Sequence, residues 1–262
     1  MRQRVITAVV ALLIFIPLIV IGGIPLQLAA ALLGAVGVYE LFNMKGLELT
    51  SFEGVLAILT VVCLILGGTE TLSFLPSTFD SASLFYLPIM IILMLPVFSK
   101  NTYTFDEAAF PVLVSIYVGI GFKNFVLARE AGVSILLFAL FIVWATDIGA
   151  YMFGMKFGKH KLAPHISPNK SIEGAIGGVL SAVVVSLIYG LFVSFSYSLI
   201  AMVILTILFS VVGQMGDLVQ SAYKRHYGVK DSGKILPGHG GILDRFDSLL
   251  FVFPLMHLFG LF

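Results

Sequence analysis

Long apolar runs separated by short polar stretches dominate this chain. Nine runs approach the roughly 20 mostly apolar residues that a membrane-crossing helix needs. They fall at about 5–22, 24–43, 52–68, 82–98, 110–126, 133–154, 174–194, 198–218 and 243–261. The first carries no charge between Val5 and Gly22, and the next run follows with no polar, small-residue cleavage region between them. It therefore reads as a span rather than a removable leader. Pro88, Pro96 and Pro111 fall in or beside the fourth and fifth runs and predict kinks or shortened helices there. The pattern predicts an all-α integral membrane protein, a bundle of about nine transmembrane helices. An N-terminal region, 1–132, would hold five spans. A C-terminal region, 133–262, would hold four, with loops at 155–173 and 219–242. Neither an internal repeat nor a low-complexity tract interrupts the pattern.

Composition excludes the other broad classes. Of 262 residues, 59% are hydrophobic and 11% charged, against about 45–50% and about 25% in ordinary globular domains. A soluble core of this size has no room for that excess, and disorder requires the opposite bias. The formal net charge of +1 gives no field for nucleic acid. The single cysteine, Cys63, rules out an intramolecular disulfide or a cysteine-based zinc site. It lies among Val61, Val62, Leu64 and Ile65 and reads as a small packed hydrophobe.

Cations set the orientation. With the N-terminus in the cytoplasm, Arg2, Arg4, Lys45, Lys100, Lys156, Lys159, Lys161, Lys170, Lys224, Arg225, Lys230, Lys234 and Arg245 all lie inside. Only Lys123 and Arg129 then lie outside, a split of 13 to 2 among the 15 Lys and Arg. The C-terminus is then external, and loops 155–173 and 219–242 face the cytoplasm. The short chain without a targeting segment points to a bacterial inner membrane.

Chemistry concentrates at those two loops. From Gly213 to Asp247 the chain reads GQMGDLVQSAYKRHYGVKDSGKILPGHGGILDRFD. Asp217, Ser221 and Lys224 or Arg225 recur at helical spacing and share a face. Lys230, Asp231 and Lys234 follow, then a Pro-Gly turn, His239 and the pair Gly240-Gly241. Asp244 and Asp247 stand three apart at the start of the ninth run, which on one helix places both carboxylates on the same side. Taken singly, each feature has an ordinary explanation: interfacial anchors, turns, and an acid at a helix start. Together they do not, because acids at membrane depth are costly and functional by default. Carboxylates among basic side chains suit a divalent metal with phosphates. Backbone N–H groups at Gly238–Gly241 offer a nest for an anion.

The second region, Trp144 to Gly178, contains Asp147, His160, His165, Asn169 and Lys170. Lys156, Lys159 and Lys161 read as ordinary cytoplasmic-side charges. Ser171 is placed to cap the seventh span, with Glu173 in its first turn. Gly174 and Gly178 form a small-residue pair suited to helix packing. The phosphate-loop, serine-elbow and HExxH zinc signatures are absent. His160 and His165 read as loop residues and His257 as a packed residue of the last span. Glu40, inside the second span, either caps a polar contact or lines a cavity.

The stretch from Ser221 to Asp247, SAYKRHYGVKDSGKILPGHGGILDRFD, resembles the signature of the phosphatidate cytidylyltransferase (CDP-diacylglycerol synthase) family. So do DIGAY at 147–151, FGKHKLAP at 157–164 and SPNKSIEG at 167–174, where Asn169 and Ser171 depart from the SPKKT form and Lys170 keeps its place. The likeness in motifs covers the C-terminal half. It implies that CTP and phosphatidic acid give CDP-diacylglycerol and pyrophosphate, with Mg²⁺, a potassium ion as a second candidate, membrane lipids around the site and a homodimer. By matching positions, Asp217, Asp244 and Asp247, with Ser221, would hold metal. Lys170, Lys224 and Arg225 would bind phosphates, so Asp217, Asp244, Asp247, Lys224 and Arg225 form the expected catalytic set. Lys170, Ser221, Lys230, Asp231, His239, Gly240, Gly241, Arg245, Asp147 and Asn169 would line the substrate. Two other readings stay open: a different lipid-phosphate enzyme such as a lipid kinase, and an ion-coupled transporter using Glu40, Asp147 and Asp217. The DGxxAR motif of the CDP-alcohol phosphotransferases is missing.

Overall fold

The computed structural model describes residues 2–76 and 78–262. Its helices are α1 (Arg2–Ile21), α2 (Gly23–Lys45), α3 (Phe52–Leu66), α4 (Ser81–Phe98), α5 (Phe105–Ala131), α6 (Val133–Phe157), α7 (Ile172–Tyr189), α8 (Leu199–His226), α9 (Leu243–Phe246) and α10 (Leu249–Leu258). Among the described residues, α2, α4, α5, α6, α7 and α8 are long and apolar enough to cross a bilayer. Shorter apolar helices occupy Ile6–Ile21, Phe52–Leu66 and Leu249–Leu258. Every apolar run is thus helical, because a backbone in hydrocarbon must satisfy its polar groups internally.

Three features depart from the sequence pattern. Residues 161–171 form an antiparallel hairpin, with β1 (Lys161–Ala163) and β2 (Ser167–Ser171) pairing Lys161 with Ser171 and Ala163 with Ser167. Among the described residues the fold is therefore mostly helical with one two-stranded sheet, whose strands are too short and polar to show a period. The prolines do not break their helices: α4 runs through Pro88 and Pro96, and α5 runs for 27 residues through Pro111. The run at 243–261 is not one helix. A turn at Asp247-Ser248 separates α9 from α10, and the Ser248 N–H donates to Asp247 Oδ1 at 2.7 Å. A short polar side chain there competes with the backbone ladder. Asp244 and Asp247 consequently do not share one uninterrupted helix. At about 1.5 Å per residue, the ten residues of α10 span about 15 Å.

Two compact units make up the chain. The first comprises residues up to Glu130 together with Asp231–Asp244, and the second comprises Ala131–Lys230 together with Arg245–Phe262. Within the first, α2 and α5 run in opposite directions. Gln27 Nε2 donates to Glu130 Oε1 at 2.8 Å, and Lys45 Nζ stands 4.0 Å from the centre of the Phe110 ring. Phe42, Phe122 and Phe125 are buried in its core. Close helix approach is set by glycine: a Cβ at Gly34 would strike Val61 and Ile65, and one at Gly119 would strike Leu64. Lys123 and Arg129, the two cations on the sparse side of the charge count, both bind backbone carbonyls. Lys123 Nζ donates to Gly67 O just past α3, and Arg129 donates to Ile19 O and Val20 O in the last turn of α1. Those carbonyls have no helical partner, and a cation suits them.

In the second unit, α7 lies against α6 through its small residues. A Cβ at Gly178 would meet Thr146 O, and one at Gly174 would meet Ala150 O. Gly174 and Gly178 are packing positions, as their spacing suggested. Ser171 caps α7 by accepting from Gly174 N at 3.1 Å. Buried hydroxyl pairs tie the helices together, Thr146 to Ser210 and Thr206 to Ser186, each at 2.8 Å. Outside the spanning helices, Asp80 caps α4 by accepting from Ser83 N, and this bond holds its carboxyl below the usual range.

Candidate active site

The second unit gathers a charged cluster. Asp217 sits about two and a half turns from the end of α8, half-buried, and both of its oxygens have partners. Lys170 Nζ donates to Oδ2 at 2.5 Å, and Ser221 Oγ donates to Oδ1 at 3.3 Å. The first is a charge-assisted contact of the strong kind. The hairpin explains it: β2 ends at the Ser171 cap, and that fixed end holds Lys170 over α8. Ser221 lies one helical turn beyond Asp217, so its contact follows from periodicity alone.

Around this pair lie two more acids and two more cations. Asp147, on α6, lies within electrostatic range of Asp217, Lys170 and Arg245. Asp247, in the turn before α10, lies within range of Asp217, Lys224 and Asp147. Close packing brings the turn to α8: a Cβ at Gly216 would collide with Asp247 O and Ser248 Cα. Gly216 is thus what lets Asp247 approach the helix that carries Asp217. The result is three carboxylates and three cations from α6, β2, α8, α9 and the turn that follows α9. Carboxylates crowded together repel unless cations share the space, so this arrangement suits an additional positive ion or a phosphate-bearing ligand.

Other expected residues of this unit have different surroundings. Arg225 is exposed and donates to Ile166 O at 3.2 Å and to Val229 O at 3.4 Å, tying the end of α8 to the hairpin. Asn169 and Lys230 are exposed. His160 is a loop residue between α6 and β1, and its Nδ1 meets Glu173 Oε1 at 2.5 Å.

Asp231, His239, Gly240, Gly241 and Asp244 belong to the first unit. There the loop closes on itself: Leu236 N donates to Gly240 O, and His239 N donates to Leu236 O. Gly238 and Gly240 have φ of 78° and 86°, values that favour glycine. Asp244 Oδ2 accepts from Ser232 N at 2.8 Å and Gly241 N at 2.9 Å, and stands 3.1 Å from Ser232 Oγ. Ile242 N and Leu243 N donate to Glu40, at 2.7 and 3.0 Å. The nest expected at Gly238–Gly241 meets an anion at Gly241, whose N–H binds the Asp244 carboxylate, while the His239 N–H goes to Leu236 O; the neighbouring N–H groups of Ile242 and Leu243 bind Glu40. Of the two roles open to Glu40, it takes the polar contact. Ser232 carried no signal in the sequence beyond its place in an Asp-Ser-Gly turn.

Mg²⁺ commonly binds through one or two carboxylates, completing its shell with waters and substrate phosphates. Among the described residues, no group of three or more His, Cys, Asp or Glu is gathered to hold an ion by itself. Asp217, beside the Ser221 hydroxyl, and Asp247, within its electrostatic range, fit the sparser requirement of magnesium.

Comparison with known proteins adds independent findings. The profile of the cytidylyltransferase family matches residues 2–262. A Staphylococcus haemolyticus protein named phosphatidate cytidylyltransferase is 45% identical over 258 residues, 98% of each chain. One of the same name from Staphylococcus epidermidis is 45% identical over 260 residues, again 98% of each. The Staphylococcus aureus protein of that name is 43% identical over 258 residues, with the same coverage.

Proposed function

The chain belongs to the cytidylyltransferase family, and we propose that it transfers the cytidylyl group of CTP to phosphatidic acid, giving CDP-diacylglycerol and pyrophosphate. The observation that carries this reading is the cluster of Asp147, Asp217 and Asp247 with Lys170, Lys224 and Arg245 in one unit. A phosphate oxygen of the lipid attacks the α-phosphorus of CTP. The new P–O bond forms as the bond to the β-phosphate oxygen breaks, and pyrophosphate leaves with the electron pair. The nucleophile is already an anion, so proton removal is not the difficulty. The difficulty is bringing two anions together and stabilising the charge that develops on the leaving group. Lys170, Lys224 and Arg245 neutralise phosphate charge, and Asp217 fixes Lys170 in place. Asp217 and Asp247, with the Ser221 hydroxyl, would hold Mg²⁺, which when bound supplies further neutralisation of phosphate charge.

The apolar helices keep the acyl chains of substrate and product in the bilayer while the headgroup meets a soluble nucleotide. We place loops 155–173 and 219–242 on the cytoplasmic side, where CTP is found, with the N-terminus inside, all nine apolar runs in the membrane and the C-terminus outside. Supporting this, Lys45 lies at one end of the α2–α5 pair and Arg129 at the other. With Cys63 replaced by serine, a cysteine at Lys159 should react with an impermeant maleimide only in inside-out vesicles. Labelling in right-side-out vesicles would reverse the orientation. The family resemblance also supports Mg²⁺, a potassium ion beside it and assembly as a homodimer.

The deciding assay supplies detergent-purified protein with CTP labelled at the α-phosphate, phosphatidic acid and Mg²⁺. Label is expected in a lipid-extractable product, with chelation abolishing transfer, Mg²⁺ restoring it, and Asp247→Asn inactive. Light scattering on the same preparation reads the dimer mass. Label moving from the γ-phosphate instead would favour the lipid-kinase reading.

A further inference from the structure

Glu40 is fully buried in a mostly apolar span, and every partner its carboxylate displays comes from a segment about 200 positions away. Its Oε1 accepts from Ile242 N, and its Oε2 accepts from Leu243 N and from Ser232 Oγ at 2.7 Å. The surroundings are shaped for this contact. A Cβ at Gly37, one turn earlier on α2, would press on the Leu243 side chain. A Cβ at Gly233 or Gly241 would strike the Glu40 carboxylate itself. Ser232 completes the link. Its hydroxyl has one proton to donate and lies nearer Glu40, while its N–H goes to Asp244 Oδ2.

We infer that Glu40 is a positioning residue for the reaction: it pins the segment Ser232–Leu243 to α2 and, through Ser232, sets the carboxylate of Asp244. This rests on the cytidylyl-transfer reading. A carboxylate is suited to the task because one group accepts several N–H and O–H donors at once, and donors bonded to a charge are held more firmly than neutral pairs. Glutamine in its place keeps the shape but offers a single acceptor oxygen, and it turns an N–H₂ toward a backbone N–H. The N-terminal helices thereby contribute to the signature segment as well as to the membrane anchor.

The test compares wild type, Glu40→Gln, Ser232→Ala and the double variant in detergent, with three readouts: kcat and KM for CTP, thermal midpoint, and hydrogen exchange at Ile242 and Leu243. Each single change is expected to lower kcat by about tenfold or more, the effect of losing hydrogen bonds to a charged group. KM and thermal midpoint should stay near wild type. The double variant should be no worse than Glu40→Gln, since both act through one link. Exchange at Ile242 and Leu243 should quicken by about tenfold or more in Glu40→Gln and change little in Ser232→Ala. Full kcat in both variants would overturn the inference, as would loss of activity only in proportion to loss of folded protein. Should Glu40→Gln fail to fold, Ser232→Ala alone decides, and full kcat there is again fatal. Wild-type protein that forms no lipid product would instead remove the reaction reading. The exchange data would then still report whether Glu40 anchors the segment.

Discussion

Asp217→Asn is expected to lower kcat by about 1,000-fold while leaving the protein folded. Asparagine preserves size but removes the charge that faces Lys170 at 2.5 Å and accepts from Ser221. Three consequences follow together. Lys170 loses the group that orients it, the cluster loses one of three negative charges, and a proposed metal ligand becomes a weaker neutral one. Removing a single preorganised electrostatic contact at a reacting centre costs about 100- to 1,000-fold, and this change touches more than one. Stability should respond far less. Both side chains of the pair retain about 30% exposure, and exposed ion pairs are screened to about 1 kcal/mol or less. Kinetics with labelled CTP alongside a thermal melt in detergent check both halves. A variant keeping more than a tenth of the wild-type rate would remove Asp217 from the chemistry.

Lys170→Met carries the second-largest expected effect, a fall of about 100-fold in kcat/KM for CTP. Methionine keeps much of the length and apolar stem of lysine, so packing on the hairpin is largely conserved while the charge goes. Lys170→Arg should recover only part of the loss, because the guanidinium is a wide planar fork and the site is built for a compact point charge. Lys170→Met combined with Asp217→Asn should fall well short of the sum of the two effects, since the partners act as a unit. Independent, additive losses would mean that Asp217 does not act through Lys170. A tenfold or smaller loss in Lys170→Met would return this lysine to the ordinary loop charges, like Lys156 and Lys161.

Much of this protein is local in the chain and was therefore readable from it. Apolar runs must be helical in hydrocarbon, and helices fill most of each run, the last as two helices. Ser171 caps α7 and Ser221 meets Asp217 because three- and four-residue spacings are geometry, not context. The motif from Ser221 to Asp247 identifies the family because its residues are contiguous. The hairpin was not readable, since strands of three and five polar residues show no period. Nor was the break at Asp247-Ser248, where a side chain competes with the helix for an N–H.

Partner choice across the chain was decided by tertiary structure alone. A lysine at 170 and an aspartate at 217 are separately ordinary; only the fixed end of β2 above α8 makes them a pair. Glu40 shows the limit most sharply. A lone carboxylate in an apolar span must find donors, because leaving it unpaired in a low-dielectric surround is prohibitive. That necessity is written in the sequence. The identity of the donors is not: Ser232, Ile242 and Leu243 meet Glu40 because glycines at 37, 233 and 241 leave room for the approach.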